Sequence, residues 1–144
     1  MIRIEAASKA TPEVRAALAH LLPQLNSELP VPTMERLEAL IADPAVTLLL
    51  AREGDEAVGT ATVIVYTTPF WIKARLDEVV VDEGARGKGV GAALVKACLD
   101  VARERGAQVA ELQSGVLREA ANRLYPRMGF KLRESNLYRI VLRT

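Results

Sequence analysis

The sequence predicts an α/β fold, an α+β mixed sheet with helices on both faces. Three observations point there. Two apolar runs flank the turn Glu53-Gly54-Asp55, which reads as a pair of strands joined by a turn. One strand–turn–helix–strand crossover runs from Lys73 to Gln113, which brings in a parallel pair. Two amphipathic segments with threonine caps lie between the first strand and the hairpin.

The elements follow in chain order. "IRIEAA" alternates as a short strand. Thr11 caps a helix that Pro12 opens, and Val14, Leu18, Leu21 and Leu22 form its apolar stripe. "NSELPVP" is a loop, and Thr33 starts a second helix with Leu37, Leu40 and Ile41 facing inward. "AVTLLLARE" and "AVGTATVIVYT" are the hairpin, and "KARLDEVVVD" is a fourth strand. In the next helix Leu94, Cys98, Val101 and Ala102 share one face, and Gly106 ends it. "QVAELQ" is a strand, and Arg118 to about Tyr125 a short helix. "FKLRES" and "LYRIVLR" alternate and are expected to close the chain as an antiparallel pair. The order is β-α-α-β-β-β-α-β-α-β-β, within one domain spanning 1–144.

Composition narrows the function. Among 144 residues, 19 Lys and Arg stand against 18 Asp and Glu, a net charge of +1. No global basic field points to nucleic acid, so any anion site is local. The chain has one cysteine, Cys98, and one histidine, His20, so it holds neither an intrachain disulfide nor a Cys/His zinc cluster, and no metal is expected. No serine motif accompanies His20. No signal peptide or membrane span is recognised, and a soluble, cytoplasmic protein is expected.

The chemistry concentrates in "VVVDEGARGKGVGAALVKA", Val79 to Ala97. Gly84, Gly87, Gly89 and Gly91 fall between a β-branched strand and a helix, with Arg86 and Lys88 among them. A plain turn needs one or two glycines. Glycines let backbone N–H groups approach a pyrophosphate, and the helix dipole attracts it. A nucleotide P-loop does not fit, because Val90 and Gly91 stand where lysine and a hydroxyl are required. Gly87-x-Gly89-x-x-Ala92, with Glu111 about 20 residues on, mimics a dinucleotide fingerprint. However, Asp82 to Arg86 separate it from the strand, and too little chain follows for that fold's second half.

Arg86-Gly87-Lys88-Gly89-Val90-Gly91 resembles the Arg/Gln-x-x-Gly-x-Gly/Ala signature of the GCN5-related N-acetyltransferases, and "AANRLYPRMGF" resembles their second segment. The element order agrees along nearly the whole chain. The resemblance implies an acyl-CoA N-acyltransferase fold and direct acetyl transfer from acetyl-CoA to an amine. It implies that Val79, Val80 and Val81 pair with the cofactor's arm through their backbone, in a gap where the fourth strand splays from its parallel neighbour. Arg86, Gly87, Lys88, Gly89, Val90 and Gly91 would take the pyrophosphate, with Asn122 a further cofactor residue. Arg118 stands where many relatives have an Asn.

Direct transfer needs a base for the amine and a proton or hydrogen bond for the leaving thiolate. Tyr125 matches the family's tyrosine and is the candidate acid. A phenol, with a pKa near about 10, gives a proton to a thiolate, near about 8.5, only slightly uphill. Its alternative role is packing. Glu78, then Asp77, are the candidate bases at the strand leading to the thioester, and the alternative is a solvated strand end. "LDEVVV" is similar to a strand of glucosamine-phosphate acetyltransferases. Tyr66, Phe70 and Trp71, with the Asn26–Pro32 loop, wall an acceptor pocket, form a homodimer contact or cap the core. Expected partners are a small-molecule or peptide amine, with no nucleic acid and no membrane. The rival reading is a non-catalytic acyl-CoA-binding module that regulates a partner.

Overall fold

The computed structural model describes residues 1–116 and 118–143, which fall into two units, Met1–Gln113 and Ser114–Thr144. In the first, β1 (Ile2–Ala6), β2 (Val46–Glu53), β3 (Glu56–Thr67), β4 (Ile72–Val81) and β5 (Val109–Leu112) form one sheet in the order β1-β2-β3-β4-β5. The first four strands run antiparallel to their neighbours, and β5 runs parallel to β4. The sheet is therefore mixed, as expected.

Helices cover both faces. α1 (Pro12–Leu21) and α2 (Met34–Ala42) begin at Thr11 and Thr33, whose hydroxyls accept from Val14 and Arg36 N–H. Val14, Leu18 and Leu37 pack with Leu48 and Leu50 of β2. On the other face lies α3 (Val90–Glu104), with Val90, Leu94, Val95 and Cys98 buried. Gly59 makes that contact close. A Cβ there would sit 2.9 Å from Leu94 Cδ1 and 3.0 Å from Val90 Cγ1. Gly106 follows the helix at φ +81°, the left-handed cap that its glycine suggested.

Buried Arg52 ties β1 and α1 to β2. Its guanidinium pairs with Glu5 and with Glu13, the latter at 2.6 Å, and bonds the Asp55 carbonyl. Those carboxylates push the arginine's already high pKa further up.

The second unit contains α4 (Glu119–Arg127). Pro126 does not stop the helix at Tyr125. The helix runs on to Arg127 and closes with Gly129 at φ +98° and Phe130 N–H on the Tyr125 carbonyl. Pro126 has no N–H to donate to the Asn122 carbonyl, and the helix ends one residue later. The two closing strands expected at "FKLRES" and "LYRIVLR" are not formed: residues 131–143 carry neither helix nor strand. Leu137, Tyr138, Ile140 and Leu142 lie exposed. Alternation records a preference for an extended, one-sided chain, and only a hydrogen-bonded neighbour turns it into a strand.

Candidate active site

The chain leaves β4 through a set of fixed backbone bonds. Asp82 N–H donates to Val58 O at 2.8 Å, and Ala85 N–H to Asp82 O at 2.8 Å, closing a 3-10 turn over Glu83–Ala85. Buried Ala85 anchors it. Gly87 and Gly89 then take φ of +82° and +80°, which is why glycine stands at both. Gly89 caps α3 with no side chain to satisfy the first-turn donors. A Cβ at Gly84, Gly87 or Gly89 would meet nothing within 4 Å, so the space above the turn is open. Uncapped donors, a helix's positive end and open space form a cradle that a polyanion fits. Val90 turns its side chain into the core, where it is 1% exposed, and leaves only its backbone at the turn. The two cations differ. The exposed Arg86 guanidinium has no hydrogen bond or ion pair among the described residues, whereas Lys88 Nζ lies 3.2 Å from Glu53 Oε1.

β4 opens beside this turn. Its pairing with β5 covers only Lys73–Leu76, opposite Val109–Leu112. Asp77 to Val81 have no β5 partner, so that backbone edge is available to a ligand. On the β3 side Thr60 and Thr62 pair with Val80 and Asp77, which leaves one extra residue in β4 at Glu78–Val79. This is a β-bulge, and Glu78 takes a φ of +45° in it. Left-handed backbone at a non-glycine costs about 1 to 2 kcal/mol, so the surrounding pairing must hold it.

The bulge separates the two candidate bases. Asp77 is ion-paired with Arg75 at 3.0 Å. Glu78 has no ion pair among the described residues. Its pKa is raised, chiefly by partial desolvation and then by the Asp77 charge, against an opposing pull from Arg75. Glu78 is exposed as a residue, so its carboxyl is only partly desolvated. The aspartate thus has an ion-pair partner, and the glutamate carboxyl is held above its ordinary pKa.

In the second unit, Tyr125 is 7% exposed and meets Phe130 edge-on, with ring centroids 5.8 Å apart. Asn122 is exposed, and its amide nitrogen donates to Gly115 O at 2.9 Å, bracing the segment before α4.

A family model described as the acetyltransferase (GNAT) family matches residues 14–130. The chain belongs to this family. Two curated proteins are similar over shorter stretches. A Methanocaldococcus jannaschii protein named as an uncharacterised N-acetyltransferase is 38% identical over 42% of this chain and 27% of its own length. N-alpha-acetyltransferase 30 of Schizosaccharomyces pombe is 46% identical over 40% of this chain and 37% of its own. The matches therefore take in well under half of those proteins. Among solved structures, an aminoglycoside acetyltransferase from an uncultured soil metagenomic sample, in complex with trehalose, superposes with a TM-score of 0.86. It covers 99% of this chain and 97% of that one at 18% identity, a likeness of fold.

This GNAT chain also holds features that motif reading passed over. His20, in the last turn of α1, and Gln24, in the 3-10 turn that follows, reach Asp82 across the fold. Their only sequence signal is polarity at a helix end. Tyr66, Phe70 and Trp71 stand out from the β3–β4 hairpin at 38%, 88% and 44% exposure, so they do not cap the core. Cys98 is fully buried, and desolvation pushes its thiol pKa up to about 12, which removes it as a nucleophile. Among the described residues no cluster could hold a metal ion, and no helix is long and apolar enough to cross a membrane.

Proposed function

We propose that this chain is an N-acetyltransferase that moves the acetyl group of acetyl-CoA directly to a primary amine. The observation that carries the proposal is the glycine cradle beside the unpaired Asp77–Val81 edge. An anionic, amide-bearing cosubstrate fits such a pair: phosphates to the cradle, amides to the strand edge. Residues 1–144 then act as one catalytic domain, which the family match across both units supports. A cytoplasmic location goes with the proposal, on the sequence grounds already given.

Acetyl-CoA supplies the activated acyl group when bound. The chain's own residues do the rest. Backbone N–H groups of Gly87 to Gly91 and the Arg86 guanidinium hold the pyrophosphate, and Lys88 joins them on leaving Glu53. Val79, Val80 and Val81 align the arm through backbone groups, and the Val79 N–H polarises the carbonyl. Glu78 takes the proton from the amine, and its raised pKa brings it nearer to neutral pH. Tyr125 donates to the sulfur as charge develops there. Asn122, which braces the segment before α4, is a further cofactor residue in this reading.

The acceptor is a primary amine, small or peptidic. The curated relative is named for N-alpha acetylation and the superposing structure for aminoglycosides, so both classes belong in the test. Purified protein, acetyl-CoA and a panel of peptide N-termini, lysines, amino sugars and polyamines are assayed for free thiol and acetylated product. Turnover with one class confirms the proposal. Coenzyme A binding without turnover on the whole panel favours the non-catalytic module, and no binding overturns the reading of the cradle.

A further inference from the structure

We propose that Gln24 is a positioning residue for the glycine turn, setting coenzyme A affinity from the far end of α1 without touching the ligand. This rests on the reading of that turn as the pyrophosphate site.

Gln24 ends the 3-10 turn Leu22–Gln24 that follows α1. Its carboxamide makes two bonds with adjacent residues. Nε2 donates to Asp82 Oδ1 at 3.0 Å, and Oε1 accepts from Glu83 N–H at 2.9 Å. Nε2 also lies 3.2 Å from His20 O, which holds the amide to its own helix. His20 Nε2 adds a contact to the same Asp82 oxygen at 3.3 Å. Asp82 and Glu83 are the residues whose carbonyls accept from Ala85 and Arg86 N–H. The clamp therefore fixes the peptide from which the chain sets out toward Arg86–Gly91.

Apart from the His20 contact and the Asp82 N–H bond to Val58 O, this side of the turn is open. An open cleft of about 660 Å³ lies there, lined by His20, Gln24, Glu56, Asp82, Glu83 and Gly84. No apolar side chain fills it, so water would replace a missing carboxamide. The loss would fall on the direction of the turn more than on the core. A cradle of backbone donors is sensitive to such a loss, since sub-ångström misplacement weakens every bond in it together.

The test compares Gln24→Ala with Thr11→Ala, which removes the cap at the opposite end of the same helix. Gln24→Ala is expected to raise the Kd for coenzyme A and the KM for acetyl-CoA about 3- to 10-fold, the range of one or two lost hydrogen bonds, with kcat nearly unchanged. Thr11→Ala is expected to lower Tm and leave both constants in place. Gln24→Glu keeps the acceptor for Glu83 N–H but sets a carboxylate against Asp82, so it too weakens binding. With that acceptor kept, the Glu83 amide is expected to exchange more slowly than in Gln24→Ala. Unchanged binding in Gln24→Ala, or an equal loss in Thr11→Ala, overturns the positioning role. If Gln24→Ala does not fold, wild-type affinity in Gln24→Glu overturns it. Wild-type protein that fails to bind coenzyme A brings down the pyrophosphate reading first, a different result from wild-type binding that Gln24 does not influence.

Discussion

Lys88 Nζ lies 3.2 Å from Glu53 Oε1, so one of the two cations at the glycine turn already has a counter-ion on the β2–β3 hairpin. A phosphate that recruits Lys88 must displace a carboxylate. Both side chains are substantially exposed, and such pairs contribute only about 0 to 1 kcal/mol. Glu53→Gln is therefore expected to tighten coenzyme A binding by roughly 2- to 5-fold. Lys88→Met weakens it, more so at low salt. Calorimetric titration of the single and double variants checks this. Once Lys88 is gone, Glu53→Gln has nothing left to release and should have little effect.

Glu78 predicts a pH profile. Its raised pKa means that the ascending limb of kcat/KM has its midpoint above the ordinary glutamate value. Glu78→Gln should remove that limb and slow transfer by about 100-fold or more. Stability moves the other way. A raised folded-state pKa stabilises the fold below the unfolded pKa, and that contribution is lost as pH rises through the folded value. Glu78→Gln should thus melt no lower than the wild type at neutral pH while losing activity. A variant with full activity and the same limb would show that the proton leaves through water.

The cradle makes its own prediction. Gly89→Val places a β-branched residue at φ +80°, which costs about 1 to 2 kcal/mol, so Tm falls as well as coenzyme A affinity. Gly84→Ala is the cleaner comparison. Gly84 lies outside the left-handed region, and its Cβ meets nothing within 4 Å. Its Tm and its coenzyme A affinity should both stay close to the wild type, because Gly84 lies outside Arg86–Gly91 and lines the cleft on the Gln24 side. Thermal shifts with coenzyme A and with NAD read both effects. A shift with NAD alone would overturn the pyrophosphate assignment.

The parts of this protein that the sequence made legible are those fixed over a few residues. Gly87 and Gly89 are legible as part of a glycine-rich turn, though not as left-handed positions, and Thr11 and Thr33 are legible because a cap acts within three residues. The bulge at Glu78 was not. "LDEVVV" fits an unbroken strand, and the extra residue exists only against the register of β3. Nor was the Gln24 clamp, which joins residues 58 and 59 positions apart. The expected closing strands show the opposite error, since their alternation is real but pairing is a property of two segments.

Tyr125 separates an enzyme from a binding module. Its hydroxyl is proposed to donate to the departing sulfur, a bond that strengthens as negative charge develops there. Tyr125→Phe keeps the ring and its edge contact with Phe130, so fold and coenzyme A affinity should change little. Transfer to a working acceptor should slow by roughly 10- to 1,000-fold, the range between one charge-stabilising hydrogen bond and full general acid catalysis. The loss should fall on kcat rather than on the KM for acetyl-CoA, because the interaction belongs to the transition state. Rapid-quench single turnovers isolate chemistry from product release. Unchanged single-turnover rates in Tyr125→Phe would make the residue a packing group and would leave water to protonate the thiolate.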